Sequence, residues 1–313
     1  MNNNSEYLIN SFINKLIDDF ISLYGNSHFC YINTIRSAGK IALDTIKNSN
    51  AAYHDIHHTI MVADVGQEIL KGRIIFENNV SPYYWFHFII AALYHDIGYI
   101  RGLCDGDKNG TYIKNILGET VHLPKHSTDA ALAPYHIDRA KHYARTALSK
   151  FECIDHDYIE SLIERTRFPV PPDDKYKKTN DLPGLLRAAD LIGQVADINY
   201  SNKSEALFSE LEEIGSAQKL GYKTGHDLRA KLPVFFKINI SPYINEALKY
   251  LDTTDYGRKW IKNLSMNILN KDYHINGETK ENLSLQSPTT LDSYASYNYQ
   301  DSQKKNNHQQ LGL

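Results

Sequence analysis

Apolar side chains recur at every third or fourth position through most of this chain, and that spacing constrains the fold more than any other feature. The N-terminal segment carries a clear example, formed by Leu8, Phe12, Leu16 and Phe20. Such a stripe lies on one side of an α-helix and must be covered by another surface. The same pattern recurs in residues 31–47, 58–75, 82–97, 136–150, 157–166, 183–198, 204–214 and 244–269. Convincing period-two alternation is absent, so we predict an all-α, globular, multi-helix fold.

Two stretches and the C-terminal tail break the helical pattern. Residues 101–128 contain four glycines, and residues 168–182 contain three prolines. Long irregular segments in compact domains are often lids or binding loops, and the alternative is a plain surface loop. From residue 276 the composition shifts to Ser, Thr, Asn, Gln and Tyr with few aliphatic residues. We therefore predict one domain over residues 1–275 and a disordered polar tail over 276–313.

Charge and composition argue against several classes of protein. The formal net charge is −3, so no basic excess indicates binding to nucleic acid or to a membrane surface. The longest apolar run, residues 85–94, is roughly half the length of a membrane-spanning helix, and the N-terminus lacks the features of a secretory signal. The three cysteines, Cys30, Cys104 and Cys153, are odd in number and widely spaced. They fit free thiols in a reducing compartment, and we predict a cytoplasmic protein.

Three separated fragments carry residues suited to chemistry. His54 and His58 have a spacing that places both on one face of a helix. His95 and Asp96 end an apolar run, and Asp190 follows another. A carboxylate in such surroundings needs a metal ion or an ion pair to offset its charge. Each fragment alone has a plainer explanation, as a chance dipeptide, a surface pair or a helix cap. Together their imidazole and carboxylate groups indicate a site for Zn, Mn, Fe or Ni.

The order of these fragments resembles the ligand signature of the HD-domain metal-dependent phosphohydrolases. The similarity is closest to the catalytic domains of cyclic-nucleotide phosphodiesterases, which have a Tyr-His-Asn-x-x-His motif, then His-Asp, then Ala-Asp-Leu. In this chain, residues 53–58 read Tyr-His-Asp-Ile-His-His, residues 95–96 read His-Asp, and residues 189–191 read Ala-Asp-Leu. The likeness covers about residues 50–200. It implies a metal-dependent phosphohydrolase, most simply a phosphodiesterase.

The resemblance also implies a role for each matching residue. A first metal ion would be bound by four side chains, those of His58, His95, Asp96 and Asp190. Asp96 would bridge to a second ion, and His54 would be the general acid that protonates the leaving oxygen. The cofactors implied are one or two divalent ions, among which Mn, Mg, Zn, Fe and Ni remain open. The substrate implied is a small phosphorylated molecule, in the first instance a nucleotide.

Two departures from the family pattern bear on mechanism and substrate. Asp55 stands where the motif has Asn, and its added charge, or another acidic residue, would keep His54 protonated. The purine-reading glutamine expected three residues before a clamp phenylalanine is missing, because Leu232 and Pro233 hold those positions ahead of Phe235 and Phe236. The resemblance therefore does not predict a purine cyclic nucleotide as the substrate.

Further residues between the His-Asp pair and the last aspartate are candidates for supporting roles. His126 and His142 are our best choices for side chains behind the metal ligands or for ligands of a second metal. Arg139, beside His142 on the same predicted helix, is a candidate for a supporting role. Arg165, with Arg145 and Arg167, is a candidate to hold substrate phosphate, since a guanidinium donates two parallel hydrogen bonds to it. The alternative is that these histidines and arginines are ordinary surface or hydrogen-bonded residues.

Two other functions fit the same motifs. Some HD-domain proteins are di-iron oxygenases, which use extra histidines between the His-Asp pair and the final aspartate, and this chain has histidines in that interval. A metal-stabilised nucleotide-binding or regulatory module without catalysis is the third reading. Iron content and oxygen uptake would separate the oxygenase from a hydrolase, and tight nucleotide binding without turnover would identify the module.

Overall fold

Helices dominate the part of the chain that the structure, a computed structural model, describes, which is residues 2–269. They are α1 (Asn2–Tyr24), α2 (Phe29–Ile46), α3 (Ile56–Glu77), α4 (Pro82–Tyr94), α5 (His136–Leu148), α6 (His156–Glu164), α7 (Leu182–Val195), α8 (Tyr200–Glu213), α9 (Ser216–Lys219), α10 (Gly225–Phe235), α11 (Ser241–Leu251) and α12 (Asp255–Ile268). Strands β1 (Thr111–Ile113) and β2 (Thr120–His122) form a small antiparallel hairpin. The predicted all-α class is confirmed.

Helix α3 occupies the centre and packs against α4, α7 and α11. It begins at Ile56 because Asp55 caps it: the Asp55 carboxylate accepts hydrogen bonds from the backbone amides of His57 and His58. Such a cap satisfies amide groups that have no partner within the helix. The cap therefore fixes the first turn of α3, which carries His58.

Helix α4 is buried on all sides. Ser81 caps it and Pro82 supplies its first residue, a position where the missing amide hydrogen of proline costs nothing. Every residue from Trp85 to Tyr94 is buried, as expected for a helix that is apolar around its whole circumference. The chain thus delivers His95 and Asp96, which follow directly, into the interior.

A close approach just after α4 positions the start of α5. Residues Ile97–Tyr99 form a single 3-10 turn that packs against α5. A Cβ atom on Gly98 would lie 1.9 Å from the backbone oxygen of His136, so no larger residue fits there. The missing side chain of Gly98 brings His136 beside the end of α4.

The structure differs from the predicted helices in two places. The predicted segment 244–269 is split into α11 and α12, because Thr254 caps a new helix and accepts a hydrogen bond from the Gly257 amide. Helix α10 was not predicted, since Pro233 and its polar neighbours interrupt the apolar pattern.

The two irregular segments contain little regular structure. Residues 101–128 hold the β1–β2 hairpin, and residues 168–182 hold a single 3-10 turn, Asp174–Tyr176. The predicted disordered tail, 276–313, lies outside the described residues. Among the described helices, none is both long and apolar enough to cross a membrane.

Candidate metal centre

Three helices bring the four predicted metal ligands to one point. His58 lies in the first turn of α3, His95 and Asp96 follow the last turn of α4, and Asp190 lies in the second half of α7. His58, His95 and Asp96 are 1%, 0% and 4% exposed. These three side chains are removed from water, where unpaired charge is costly, whereas the Asp190 side chain is 20% exposed.

The distances between these side chains are short. Nε2 of His58 lies 3.3 Å from Oδ2 of Asp96 and 3.2 Å from Oδ1 of Asp190. Nε2 of His95 lies 3.2 Å from Oδ2 of Asp96 and 3.7 Å from Oδ1 of Asp190. Two ligands bound about 2.1 Å from one ion lie roughly 3.0–3.4 Å apart in octahedral or tetrahedral geometry. Three of the four distances fall in that range, and the one between His95 and Asp190 is slightly longer.

The facing atoms are close but are not hydrogen bonded to one another. Nε2 of His58, Nε2 of His95 and Oδ2 of Asp96 are all buried without a hydrogen-bond partner. Buried polar atoms nearly always have partners, so three such atoms facing one point need an explanation. They converge on a common position between them, and the donor set of imidazole and carboxylate suits a divalent metal ion there.

The electrostatics of the group require positive charge at its centre. Burial lowers the pKa of His58, but the carboxylates of Asp190 and Asp96 outweigh burial and raise it to about 9. Burial raises the pKa of Asp190, but the nearby imidazoles of His58 and His95 outweigh burial and lower it to about 2. Either protons on the imidazoles or a bound cation can supply this charge. A metal ion must displace those protons in order to bind.

His54 lies at the edge of the group and is held by a buried glutamate. Its Nδ1 is 2.5 Å from Oε2 of Glu210 in α8, and Glu210 also accepts hydrogen bonds from the backbone amides of Tyr53 and His54. Burial lowers the pKa of His54, but the Glu210 carboxylate outweighs burial and raises it. His54, His58 and Asp96 each offer one ligand atom within 4.8 Å of the others. Because Nδ1 is engaged by Glu210, Nε2 is the His54 nitrogen that is left for chemistry.

His136 approaches the other oxygen of Asp96. Its Nε2 is 3.7 Å from Oδ1 of Asp96, and its ring stacks on Tyr99, which in turn stacks on His54. Nδ1 of His136 contacts the backbone oxygen of Ala133. A proton on Nδ1 would satisfy that oxygen and leave the lone pair of Nε2 facing Asp96. His136 is therefore a further ligand-type side chain, and it approaches the Asp96 oxygen other than the one that His58 approaches.

A family comparison covers nearly the whole described chain. The model of the Npun_R2479-like family matches residues 2–274. The chain belongs to the Npun_R2479-like family. A comparison with curated proteins gives no match.

The other predicted site residues of this Npun_R2479-like protein either lie away from the four candidate ligands or form hydrogen bonds to the backbone. Asp55 caps α3, and the residue that holds His54 is Glu210. His126 is exposed on the loop before α5. His142 lies on α5 and is half-buried. Neither histidine joins a metal-binding group among the described residues.

Two of the candidate arginines make contacts that support loops. Arg139 is fully buried, donates to the backbone oxygens of Gly98 and Ile100, and pairs with Asp107. Arg165 donates to the backbone oxygen of Lys178 and to Asp181, the cap of α7. These bonds engage the whole Arg139 guanidinium and the two terminal nitrogens of Arg165, and they hold the segments that follow α4 and precede α7.

Sequence reasoning missed Glu210, Tyr99 and His136 as parts of the site. Glu210 lies in an amphipathic helix and matches no motif. Tyr99 is three residues beyond Asp96 and belongs to none of the matched motifs. Nothing in the sequence marks Glu210, because its 4% exposure, which requires a buried partner, is a property of the assembled structure.

Proposed function

We propose that this protein is a metal-dependent phosphohydrolase that acts on a small phosphorylated substrate, in the first instance a nucleotide. The observation that carries the proposal is the convergence of His58, His95 and Asp96, whose facing atoms are buried and unpartnered. Asp190 completes the group, and His54, backed by buried Glu210, lies beside it. The motif order that resembles HD-domain enzymes agrees with this geometry.

The metal would be held by four side chains, those of His58, His95, Asp96 and Asp190. A divalent ion bound there would polarise the phosphoryl oxygens and lower the pKa of a bound water. His136, whose Nε2 lies 3.7 Å from Oδ1 of Asp96, would be one of the residues able to hold a second ion. Mixed imidazole and carboxylate donors favour Mn, Fe, Zn or Ni over Ca.

His54 is suited to protonate the leaving oxygen. Glu210 accepts a hydrogen bond from Nδ1 and stabilises the charged imidazolium. Nε2 then carries a proton that can be transferred. Tyr99 stacks on the imidazole with ring centroids 4.4 Å apart and restricts its rotation. Glu210 and Tyr99 together fix the direction in which His54 presents that proton.

The test is hydrolysis of two chromogenic substrates in the presence of Mn²⁺. Bis(p-nitrophenyl) phosphate reports diesterase activity and p-nitrophenyl phosphate reports monoesterase activity. We expect metal-dependent turnover of at least one, loss of that turnover in Asp96→Ala, and retention in Asp157→Asn. Asp157 is a suitable control because its side chain is 88% exposed on α6. Equal turnover in the parent and in Asp96→Ala would contradict the proposal.

The same preparation separates the two alternatives. Bound iron with oxygen uptake and no phosphate release would indicate the di-iron oxygenase, while tight nucleotide binding without turnover would indicate the binding module. His126 and His142, the histidines suggested for a second metal, join no metal-binding group among the described residues, and the histidine that approaches Asp96 is His136. The geometry therefore supports hydrolysis more directly than a histidine-rich di-iron centre.

A further inference from the structure

Two of the three cysteines, distant in sequence, meet at the end of the molecule where α2 begins. Cys30 is exposed in the first turn of α2, and Cys153 is half-buried in the connection between α5 and α6. Sγ of Cys153 lies 3.2 Å from Oγ1 of Thr34. Thr34 is one helical turn after Cys30, so both project from the same face of α2.

The two thiols lie close to each other. The Cys153 thiol is within hydrogen-bond distance of Thr34, and the neighbouring Cys30 thiol contributes to the raised pKa of Cys153. Cys104, by contrast, is buried in the segment before the β1–β2 hairpin. Proximity of two thiols on separate elements is the precondition for a disulfide. We propose that Cys30 and Cys153 form a reversible intramolecular disulfide that fastens the α5–α6 connection to α2.

The chemistry balances with a small disulfide such as oxidised glutathione as the oxidant. The thiolate of exposed Cys30 attacks one sulfur of the oxidant, forming a mixed disulfide and releasing one thiol. The thiolate of Cys153 then attacks the Cys30 sulfur and releases the second thiol. Two protein thiols are oxidised, the oxidant is reduced to two thiols, and the two protons pass to those leaving groups.

The second step sets the rate, because Cys153 is the less accessible nucleophile. Burial and the contact with Cys30 raise the pKa of the Cys153 thiol to about 11. A thiol with this pKa is mostly protonated near neutral pH, so the closing rate rises about tenfold per pH unit below it. The disulfide should therefore form slowly at pH 7 and much faster at pH 9.

The position of the pair predicts an effect on stability and not on the metal centre. The α5–α6 connection is already bonded to α4, since Tyr83 donates to the Asp155 carboxylate and the Asp155 amide donates to His87. His87 is about 12 Å along α4 from His95, at 1.5 Å per residue. A disulfide between Cys30 and Cys153 would close a long loop of chain, and such a bond removes conformations from the unfolded chain.

The experiment uses the full-length protein treated with oxidised glutathione at pH 8.5. We expect the titratable thiols to fall from three to one at monomer mass, with a cross-linked peptide pair that contains Cys30 and Cys153. The thermal midpoint should rise by roughly 5–15 °C and return on reduction with dithiothreitol. Cys30→Ser and Cys153→Ser should abolish the rise, and Cys104→Ser should keep it.

Three results would overturn this inference. They are three thiols that remain free, a stable glutathione adduct on Cys30 in place of the cross-link, and a cross-link that leaves the thermal midpoint unchanged or lowered. The thiol count and the peptide map are made on the parent protein, so they decide the matter even where a cysteine variant folds poorly.

Discussion

Two buried groups of charged side chains in this protein differ in how completely their polar atoms are bonded. Arg139 and Asp107 are fully buried, and the Arg139 guanidinium is shared between Asp107 and three backbone oxygens. In the candidate metal centre, four polar atoms of His58, His95 and Asp96 have no hydrogen-bond partner, and three of them face one point. Both groups sit beside the turn that follows α4. A charged group that is fully bonded is explained by folding, whereas converging unpartnered atoms are explained by a ligand.

The largest expected effect comes from breaking the fully bonded pair. Asp107→Ala leaves the Arg139 charge buried and unpaired, which should lower the free energy of unfolding by about 3–5 kcal/mol. Urea unfolding measures this change, with Asp105→Ala, at an exposed neighbouring position, as the matched control. A loss of less than about 1 kcal/mol in the free energy of unfolding would show that the ion pair does not stabilise the fold, and the contrast with the candidate metal centre would fail.

Removal of one ligand should act on binding and leave the fold in place. Asp190→Asn keeps the shape of the side chain but removes the charge that faces His58 and His95. We expect the affinity for Mn²⁺ to fall more than about 100-fold, beyond the usual cost of losing a residue behind the ligands. Isothermal titration calorimetry measures the affinity, and Asp174→Asn, 91% exposed, is the control. Unchanged affinity would remove Asp190 from the site.

A smaller effect is expected from the glutamate behind His54. Glu210→Gln keeps the size of the side chain but withdraws the negative charge from His54, whose pKa should then fall. We expect kcat to drop roughly 10–100-fold at unchanged metal content. The alkaline limb of the pH–rate profile should move to lower pH, because the protonated imidazole is lost earlier. Glu213→Gln, one turn further along α8, is the matched control, and a parallel shift in both variants would exclude a specific role for Glu210.

The smallest effect is a change in how stability depends on pH. In the metal-free protein the pKa of His58 is raised to about 9, so its stabilising contribution is complete below about pH 6.5 and is lost as the pH rises through 9. With metal bound, the imidazoles must be neutral, and higher pH should favour binding and stability over the same range. Thermal midpoints with EDTA and with Mn²⁺ should therefore diverge between pH 6.5 and 9. Parallel curves would show that no metal ion competes with protons for these imidazoles.

The sequence alone predicted the elements whose signals are local. Apolar spacing predicted the helices that carry all four ligands, since the period of a helix is written into neighbouring residues. The split between α11 and α12 was missed because Thr254 acts as a cap, which matters more than a continuing apolar stripe. The hairpin inside 101–128 was missed because its strands are three residues long and too short for a pattern to emerge.

For the candidate site, the sequence determined which ligand-type residues the chain contains, and the tertiary structure decided which of them lie close together. His58, His95, Asp96 and Asp190 could be chosen from motifs because each lies in a recognisable helical context. Contacts such as those of Glu210 with His54 and Cys30 with Cys153 join positions more than a hundred residues apart. Such contacts depend on how helices pack, and no local pattern encodes that. Only the assembled core decides whether a buried polar atom has a hydrogen-bond partner. The presence or absence of such partners is what distinguishes the ion pair of Arg139 and Asp107 from the candidate metal centre.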